Sequence, residues 1–407
     1  MSSKARSPTA TSGEDPPPNK KPKPSSPTAT EPTSISISSL PDDLLLNCLA
    51  RVSRQHYHIL SRVSKRFRSI IASPELYATR SRMNRTEKCL YLYLSFRCDS
   101  RTFLYTLIRN VANNEPSGYS LAMIPSPDSS LPAQSSSTIV AVGSDIYKIG
   151  GGFNSKCKFW KRYYSSSVSV LDCRTHTWRQ APSMGLERDS SSTATLFDGK
   201  IYVGGGCDDR YVSTLRFMEV FDLETQTWGF GMRNPCVFRW SEEDRVKPFV
   251  AKSLVLEGKL YIFGDDGSVY NPEDNRWWDL GWANSRMRWA AKECHCVIDD
   301  VLYFWDKGVF KWYDFKTDSS KELNGIEGLP DLGSNGEKCK KAMVDLGGKM
   351  VFLWNEDLGY EECRIWCAEI TLERRGEDEI WGKVEWFDSL LRTHPSCSVL
   401  DVVSVSV

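Results

Sequence analysis

The densest set of side chains able to do chemistry in this 407-residue chain is Cys294-His295-Cys296. Thiolates and an imidazole hold zinc when they converge on one tetrahedral point. On a strand the two sulfurs share one face and His295 takes the other, so the trio forms no compact site. Cys363 and Cys367 lack a second pair at zinc-like spacing. The five histidines (His56, His58, His176, His295 and His394) leave little for a His-rich centre. No Gly-x-Ser-x-Gly elbow, phosphate loop or HExxH motif occurs. The cysteines read as small thiols of the core, so no catalytic residue, metal or cofactor is expected. Thirteen of them, an odd number scattered along the chain, suit a reducing compartment, the cytoplasm or nucleus.

A second kind of chemistry is recognition. Arginine near tryptophan is typical of binding hot spots. Arg188 follows PSMGLE, Arg286 and Arg288 lie in NSRMRW, and Trp240 lies in the long mixed segment Asn234 to Phe249. These four are the candidate partner-binding residues. For each arginine a solvated loop position or an internal ion pair is the alternative. Lys+Arg and Asp+Glu cancel at 52 each, so no electrostatic pull toward nucleic acid or an anionic membrane is expected. No run approaches 18 uninterrupted apolar residues and no hydrophobic signal core opens the chain, so it reads as soluble and unsecreted.

The elements that position such residues fall into three parts. Residues 1–34 hold eight prolines, and their only apolar residues are Met1, Ala5, Ala10 and Ala29. Such a segment cannot bury enough surface to offset its chain entropy and is expected to be a disordered tail. Lys20, Lys21 and Lys23 form a short basic cluster, readable as a nuclear-import signal or as a solubilising patch. Ser7-Pro8 and Ser26-Pro27 are weak candidates for proline-directed phosphorylation.

Residues 35–82 read as helical. Pro41 suits a first helical position, and Asp42 and Asp43 complement the positive end of the helix dipole. Leu44, Leu45, Cys48, Leu49 and Val52 form one apolar stripe; Leu60, Val63, Phe67, Ile70 and Ile71 form another. Ser73-Pro74 ends the second. Roughly 40 residues seldom stand alone, so surplus apolar surface needs a partner chain or a neighbouring domain.

The blocks Leu40-Pro41-Asp42-Asp43-Leu44-Leu45, Leu60 to Arg68, and Ser73-Pro74-Glu75-Leu76 together resemble an F-box. The resemblance implies docking on the Skp-type adaptor of a cullin–RING ubiquitin ligase through Leu40, Pro41, Leu44, Leu45 and Val63. Leu49, Val52, Phe67 and Ile70 are assigned to the helical core. Ser53 stands where many relatives carry proline, which is expected to loosen the turn between helices.

Residues 89–407 repeat. SDIYKIGGG, GKIYVGGG, GKLYIFGDDG, DVLYFWDKG and GKMVFLWNE align, with Tyr147, Tyr202, Tyr261, Tyr303 and Val351 separated by 55, 59, 42 and 48 residues. Downstream, Trp178, Trp228 and Trp277 are 50 and 49 residues apart. This pattern is similar to kelch repeats, which imply an all-β propeller. Tyr202 and Trp228 offer large flat surfaces for packing one blade on the next, and Gly151-Gly152 and Gly205-Gly206 are placed at the ends of inner strands. Strands at Tyr91 to Phe96, Arg101 to Ile108 and Cys397 to Val405 are expected to pair into one composite blade, which removes the open edge. Five repeats plus that composite make six blades, with five or seven as alternatives.

The fold class is therefore mixed: a small all-α F-box followed by an all-β kelch propeller of six blades. The combination resembles plant F-box/kelch-repeat proteins, substrate-recognition subunits of SCF-type ubiquitin ligases. By that resemblance the helices bind the adaptor and propeller loops hold an unknown target protein, with no chemistry from this chain. A kelch scaffold without a ligase role, or a metal-dependent kelch enzyme, are the other readings.

Overall fold

The computed structural model describes residues 37–96, 99–109, 119–126, 137–151, 164–189, 192–207, 218–231, 250–264, 267–280, 294–330, 340–358, 362–393 and 397–407. The chain forms two compact units, Met1–Leu45 and Leu46–Val407. The first holds a 3-10 turn at Ile37–Ser39 and the start of helix α1 (Asp42–Ala50). Helix α1 begins one residue later than expected, because Pro41 supplies the carbonyl that accepts from Leu45 N (3.1 Å).

The second unit contains α2 (Tyr57–Val63), α3 (Lys65–Ile71), α4 (Pro74–Arg82) and all the strands. The stripe from Leu60 to Ile71 is thus two helices. Ser64 is extended and its side chain accepts from Phe67 N, so it caps α3 and stops α2. Helices α2 to α4 thus lie in the same packed unit as the strands. Two arginines and a glutamate, Arg54, Arg80 and Glu87, knit them to the propeller.

The strands form six four-stranded antiparallel sheets. Blade 1 contains β1 (Lys88–Phe96), β2 (Asp99–Arg109) and β3 (Tyr119–Ile124). Blade 2 is β4 (Thr138–Val142), β5 (Asp145–Ile149), β6 (Val168–Asp172) and β7 (Thr177–Ala181). Blade 3 is β8 (Thr193–Phe197), β9 (Lys200–Gly204), β10 (Met218–Asp222) and β11 (Thr227–Phe230). Blade 4 is β12 (Val250–Leu256), β13 (Lys259–Gly264), β14 (Gly267–Asn271) and β15 (Arg276–Asp279). Blade 5 is β16 (His295–Ile298), β17 (Val301–Asp306), β18 (Val309–Asp314) and β19 (Ser319–Glu322). Blade 6 is β20 (Lys341–Asp345), β21 (Met350–Asp357), β22 (Cys363–Arg375) and β23 (Glu379–Thr393).

The last strand, β24 (Cys397–Ser406), returns to blade 1 and pairs with β1 from Lys88↔Ser406 to Phe96↔Cys397. It becomes that blade's first strand, so the ring closes by hydrogen bonds between the two ends of the sheet region. Strands β24, β4, β8, β12, β16 and β20 are successive neighbours around the ring. Six blades and the composite closure agree with the repeat spacing.

A local device shapes four of the blades. Asp172, Asp222, Asn271 and Asp314 end the third strands, and each Oδ1 accepts an amide two residues on, at Arg174, Glu224, Glu273 and Lys316 (2.9–3.2 Å). The turn then closes on a residue of positive φ: His176, Gln226, Asn275 or Asp318. Gly151 and Gly205-Gly206 follow β5 and β9, the second strands of their blades, and Gly152 lies outside the described residues. There the backbones crowd: a Cβ on Gly206 would stand 2.8 Å from Ser192 N, at a φ of +68°.

Apolar clusters lie between neighbouring blades. Tyr147, Ile149, Ile201 and Phe221 join blades 2 and 3, and Met218, Ile262 and Trp277, with Tyr202 against them, join blades 3 and 4. Cys296, with Cys294 packed against the same cluster, joins blades 5 and 6. The aromatic rows of the sequence are blade-to-blade mortar.

Candidate functional site

In the first unit Pro41 is exposed, Leu40 half-buried and Leu44 52 % exposed. In the second, Val63 at the end of α2 is 61 % exposed. Leu45 departs from the expectation. It is 1 % exposed and part of the core, so it cannot be offered to a partner. Two adjacent leucines on a helix point about 100° apart, and only Leu44 points out. Leu49 and Phe67 are buried as assigned, while Val52 and Ile70 are half-buried. Ile37 and Ile59 are further exposed apolar residues that the sequence reading did not select.

Helices α2 to α4 are held by a polar hub. Arg80, from α4, is 1 % exposed, and its guanidinium donates to the carbonyls of Ala50 (3.2 Å), Val52 (2.6 Å) and Arg85 (2.6 Å). It also donates to the Tyr57 hydroxyl (3.0 Å) and Glu87 Oε1 (2.8 Å). Burial works against its charge, but the Glu87 carboxylate outweighs this and the Arg80 pKa is raised. Glu87 Oε2 accepts from the Ser53 hydroxyl (2.9 Å) and from Arg54 N (3.0 Å). Ser53 therefore anchors the turn that its departure from proline was expected to loosen.

Arg54 continues the hub into the propeller. Its guanidinium donates to the carbonyl of Cys173 and lies 3.3 Å from His176 Nε2, in the turn between β6 and β7. Tyr91 of β1 meets the same two groups, at 3.3 and 3.1 Å. The helices are thus seated at the junction of blades 1 and 2. Burial, with the Arg54 charge beside it, pushes the His176 pKa down to about 4. An ordinary histidine takes its proton near pH 6.5, so the stability gained by keeping His176 neutral is complete above that pH. It is lost progressively as pH falls from 6.5 to 4, a contribution of about 3 kcal/mol. His176→Asn, a residue that accepts positive φ, is expected to remove this slope. Urea midpoints measured from pH 7 to pH 4 check it; equal slopes in both proteins would discard the role of His176.

Arg188 is not at the surface. It is 0 % exposed and its Nη2 lies 3.0 Å from Glu219 Oε2, on β10 of blade 3. Its Nη1 donates to Gly205 O (2.6 Å), and its backbone exchanges hydrogen bonds with Ser165 (2.9 and 3.1 Å). The arginine assigned to partner contact is an ion pair between blades 2 and 3. Trp240, Arg286 and Arg288 lie outside the described residues, as do the tail lysines and serines. Among the described residues, no cluster of three or more His, Cys, Asp or Glu could hold a metal ion, and no helix is long and apolar enough to cross a membrane.

The F-box domain model matches residues 37–79, and the model described as FKB95, Kelch-repeats domain, matches residues 104–391. Two F-box/kelch-repeat proteins of Arabidopsis thaliana align along nearly the whole chain. One is 53 % identical over 396 residues, covering 94 % of this chain and 95 % of the relative. The other is 50 % identical over 417 residues, covering 100 % and 99 %. The chain belongs to the F-box/kelch-repeat family. Among solved structures, that of YjhT aligns at 11 % identity with a TM-score of 0.36, covering 61 % of this chain and 96 % of that one.

In this F-box/kelch-repeat protein, Arg80, Glu87 and Tyr91 all fall between the two matched segments. The connection between helices and propeller thus joins these three to Arg54 of the first segment and to Cys173 and His176 of the second. Glu87→Ala leaves the buried Arg80 guanidinium without its counter-ion, and a loss of about 2 kcal/mol in unfolding free energy is expected. Limited proteolysis should then cut within the helices first. A urea midpoint unchanged from the parent would show that the hub carries no stability.

Proposed function

We propose that this protein is the substrate-recognition subunit of an SCF-type ubiquitin ligase, working in the cytoplasm or nucleus. Its helices dock on the Skp-type adaptor, and its propeller holds a target protein near the charged conjugating enzyme. An F-box followed by a kelch propeller is the arrangement of such adaptors in general. The observation that carries the docking assignment is the exposure of Leu44 and Val63. Helices serving only internal packing would turn such side chains inward, as they do Leu45, Leu49 and Phe67.

The mechanism is positional. Tethering raises the effective concentration of target at the ubiquitin donor, and this chain contributes no nucleophile. The hub around Arg80 and Glu87 supports the role, because a stiff connection between helices and propeller preserves the geometry that tethering exploits. The full chain is expected to capture a purified Skp-type adaptor, and Leu40→Ala/Pro41→Ala to abolish capture. No capture by the folded parent chain would favour a kelch scaffold without a ligase role.

A further inference from the structure

One pair of thiols meets across the seam where the ring closes. Cys363 opens β22 in blade 6, and Cys397 opens β24, the closing strand of blade 1. They are 34 positions apart in sequence, yet the Cys397 thiol donates to Cys363 Sγ at 3.6 Å. Cys363 Sγ also lies 3.2 Å from Cys397 O. Both belong to the apolar cluster that packs blade 6 on blade 1, with Leu90, Leu353 and Val399. Bonding the two sulfurs needs about 1.5 Å of approach, shared between two side chains.

The thiols are 0 % and 2 % exposed, so the route to them matters. Each ends its ladder: Cys363 forms the last pairs of β22, with Asp357 and Thr393, and Cys397 the last pair of β24, with Phe96. Strand ends open before strand centres, and a brief opening there uncovers the pair. The neighbouring Glu362–Arg392 ion pair already reaches solvent. A molecule as small as hydrogen peroxide passes such an opening; a disulfide of the bulk of oxidised glutathione does not.

We propose that Cys363 and Cys397 are a peroxide-responsive pair, whose disulfide clasps the closing strand of the propeller to blade 6. The two sulfurs are not equivalent. The hydrogen bond from Cys397 holds the Cys363 pKa below that of an ordinary thiol, against the opposing effect of burial. Burial without such a donor pushes the Cys296 and Cys367 thiols up. Cys363 is therefore the attacking sulfur. Its thiolate attacks one peroxide oxygen, the O–O bond breaks, and hydroxide leaves and takes up the proton Cys363 lost, giving a sulfenic acid and water. The Cys397 sulfur then attacks the sulfenic sulfur, and its proton leaves with the hydroxyl as a second water. Two thiols are oxidised to one disulfide, and one peroxide is reduced to two waters. The ring that closes by strand pairing and packing then also closes covalently. This holds whether or not the helices dock an adaptor.

The test exposes the reduced full chain, freed of reductant, to hydrogen peroxide. Catalase ends the reaction, remaining thiols are alkylated in urea, and a digest without reductant is read by mass spectrometry. A peptide pair joined through Cys363 and Cys397, lighter by two hydrogens and separated by dithiothreitol, is expected. The thermal midpoint of the oxidised chain should rise by about 5 °C and fall back on reduction. Cys363→Ala and Cys397→Ala should each abolish both the link and the rise. The parent's own digest decides even where a variant folds poorly. Both cysteines recovered alkylated, Cys363 oxidised to sulfinic acid without a link, or either thiol joined to a different cysteine would overturn the proposal. An unchanged midpoint in the linked chain would equally remove the clasp.

Discussion

Arg188→Met is expected to lower the unfolding free energy by about 3–5 kcal/mol, the range for breaking a buried ion pair from one side. Both partners are withdrawn from water, at 0 % and 2 % exposure. Glu219 accepts from Arg188 Nε (3.3 Å) and Nη2 (3.0 Å), and from the amides of Gly185 (2.6 Å) and Leu186 (3.3 Å). Removing the guanidinium leaves a buried carboxylate with two neutral donors. It also leaves Gly205 O without the donor that now reaches it. Arg188→Met/Glu219→Leu removes both charges together and should recover part of the loss. Recovery will be incomplete, because the Gly185 and Leu186 amides then lack an acceptor. Urea unfolding of the two variants and the parent decides the matter; a loss under about 1 kcal/mol in Arg188→Met would show that the pair is not a keystone between blades.

The second large effect is on adaptor binding. Leu44→Asp and Val63→Asp, made separately, are each expected to weaken capture of the Skp-type adaptor at least thirtyfold, about 2 kcal/mol, the threshold of an interface hot spot. Each places a charge where the proposal requires an apolar contact. More than half of each side chain already faces solvent, so neither change should cost much stability. Leu45→Ala makes the contrast. It empties a fully buried position and should cost about 2–5 kcal/mol of stability. Affinity equal to the parent's in both aspartate variants, measured by surface binding or calorimetry, would remove the docking assignment.

Much of the propeller is legible in the chain because each blade is local. A strand, a two-residue turn and a second strand occupy about twelve to fifteen residues, so Tyr147, Tyr202, Tyr261 and Tyr303 mark the same place in successive units. The closing strand is also legible, since a leftover apolar strand at each end of a repeat array has only the other to pair with. The outer strand β3 is less legible, because YSLAMI lacks the tryptophan that marks β7, β11 and β15. The hub was missed altogether. A buried arginine such as Arg80 has no signature of its own, and its partners come from Ala50, Val52, Tyr57 and Glu87, spread along the chain.

By themselves, then, the residues determined the periodic part of this protein: helices ahead of six blades, the order of the strands, and the aromatic rows between sheets. Those features follow from contacts between near neighbours in sequence and from repetition. What only the tertiary structure decided is the fate of individual polar and apolar side chains. Arg188 follows a glycine-containing turn and reads as a loop residue, but Glu219, 31 positions away, draws it into the interior. Leu44 and Leu45 are identical in type and adjacent, and the phase of the packed helix alone decides which one faces out. Trp277 matches Trp178 and Trp228 in sequence, yet among the described residues its Nε1 meets no carbonyl such as the proline carbonyls that accept from theirs. Burial is a property of the whole packed assembly, and a local pattern carries only the tendency toward it.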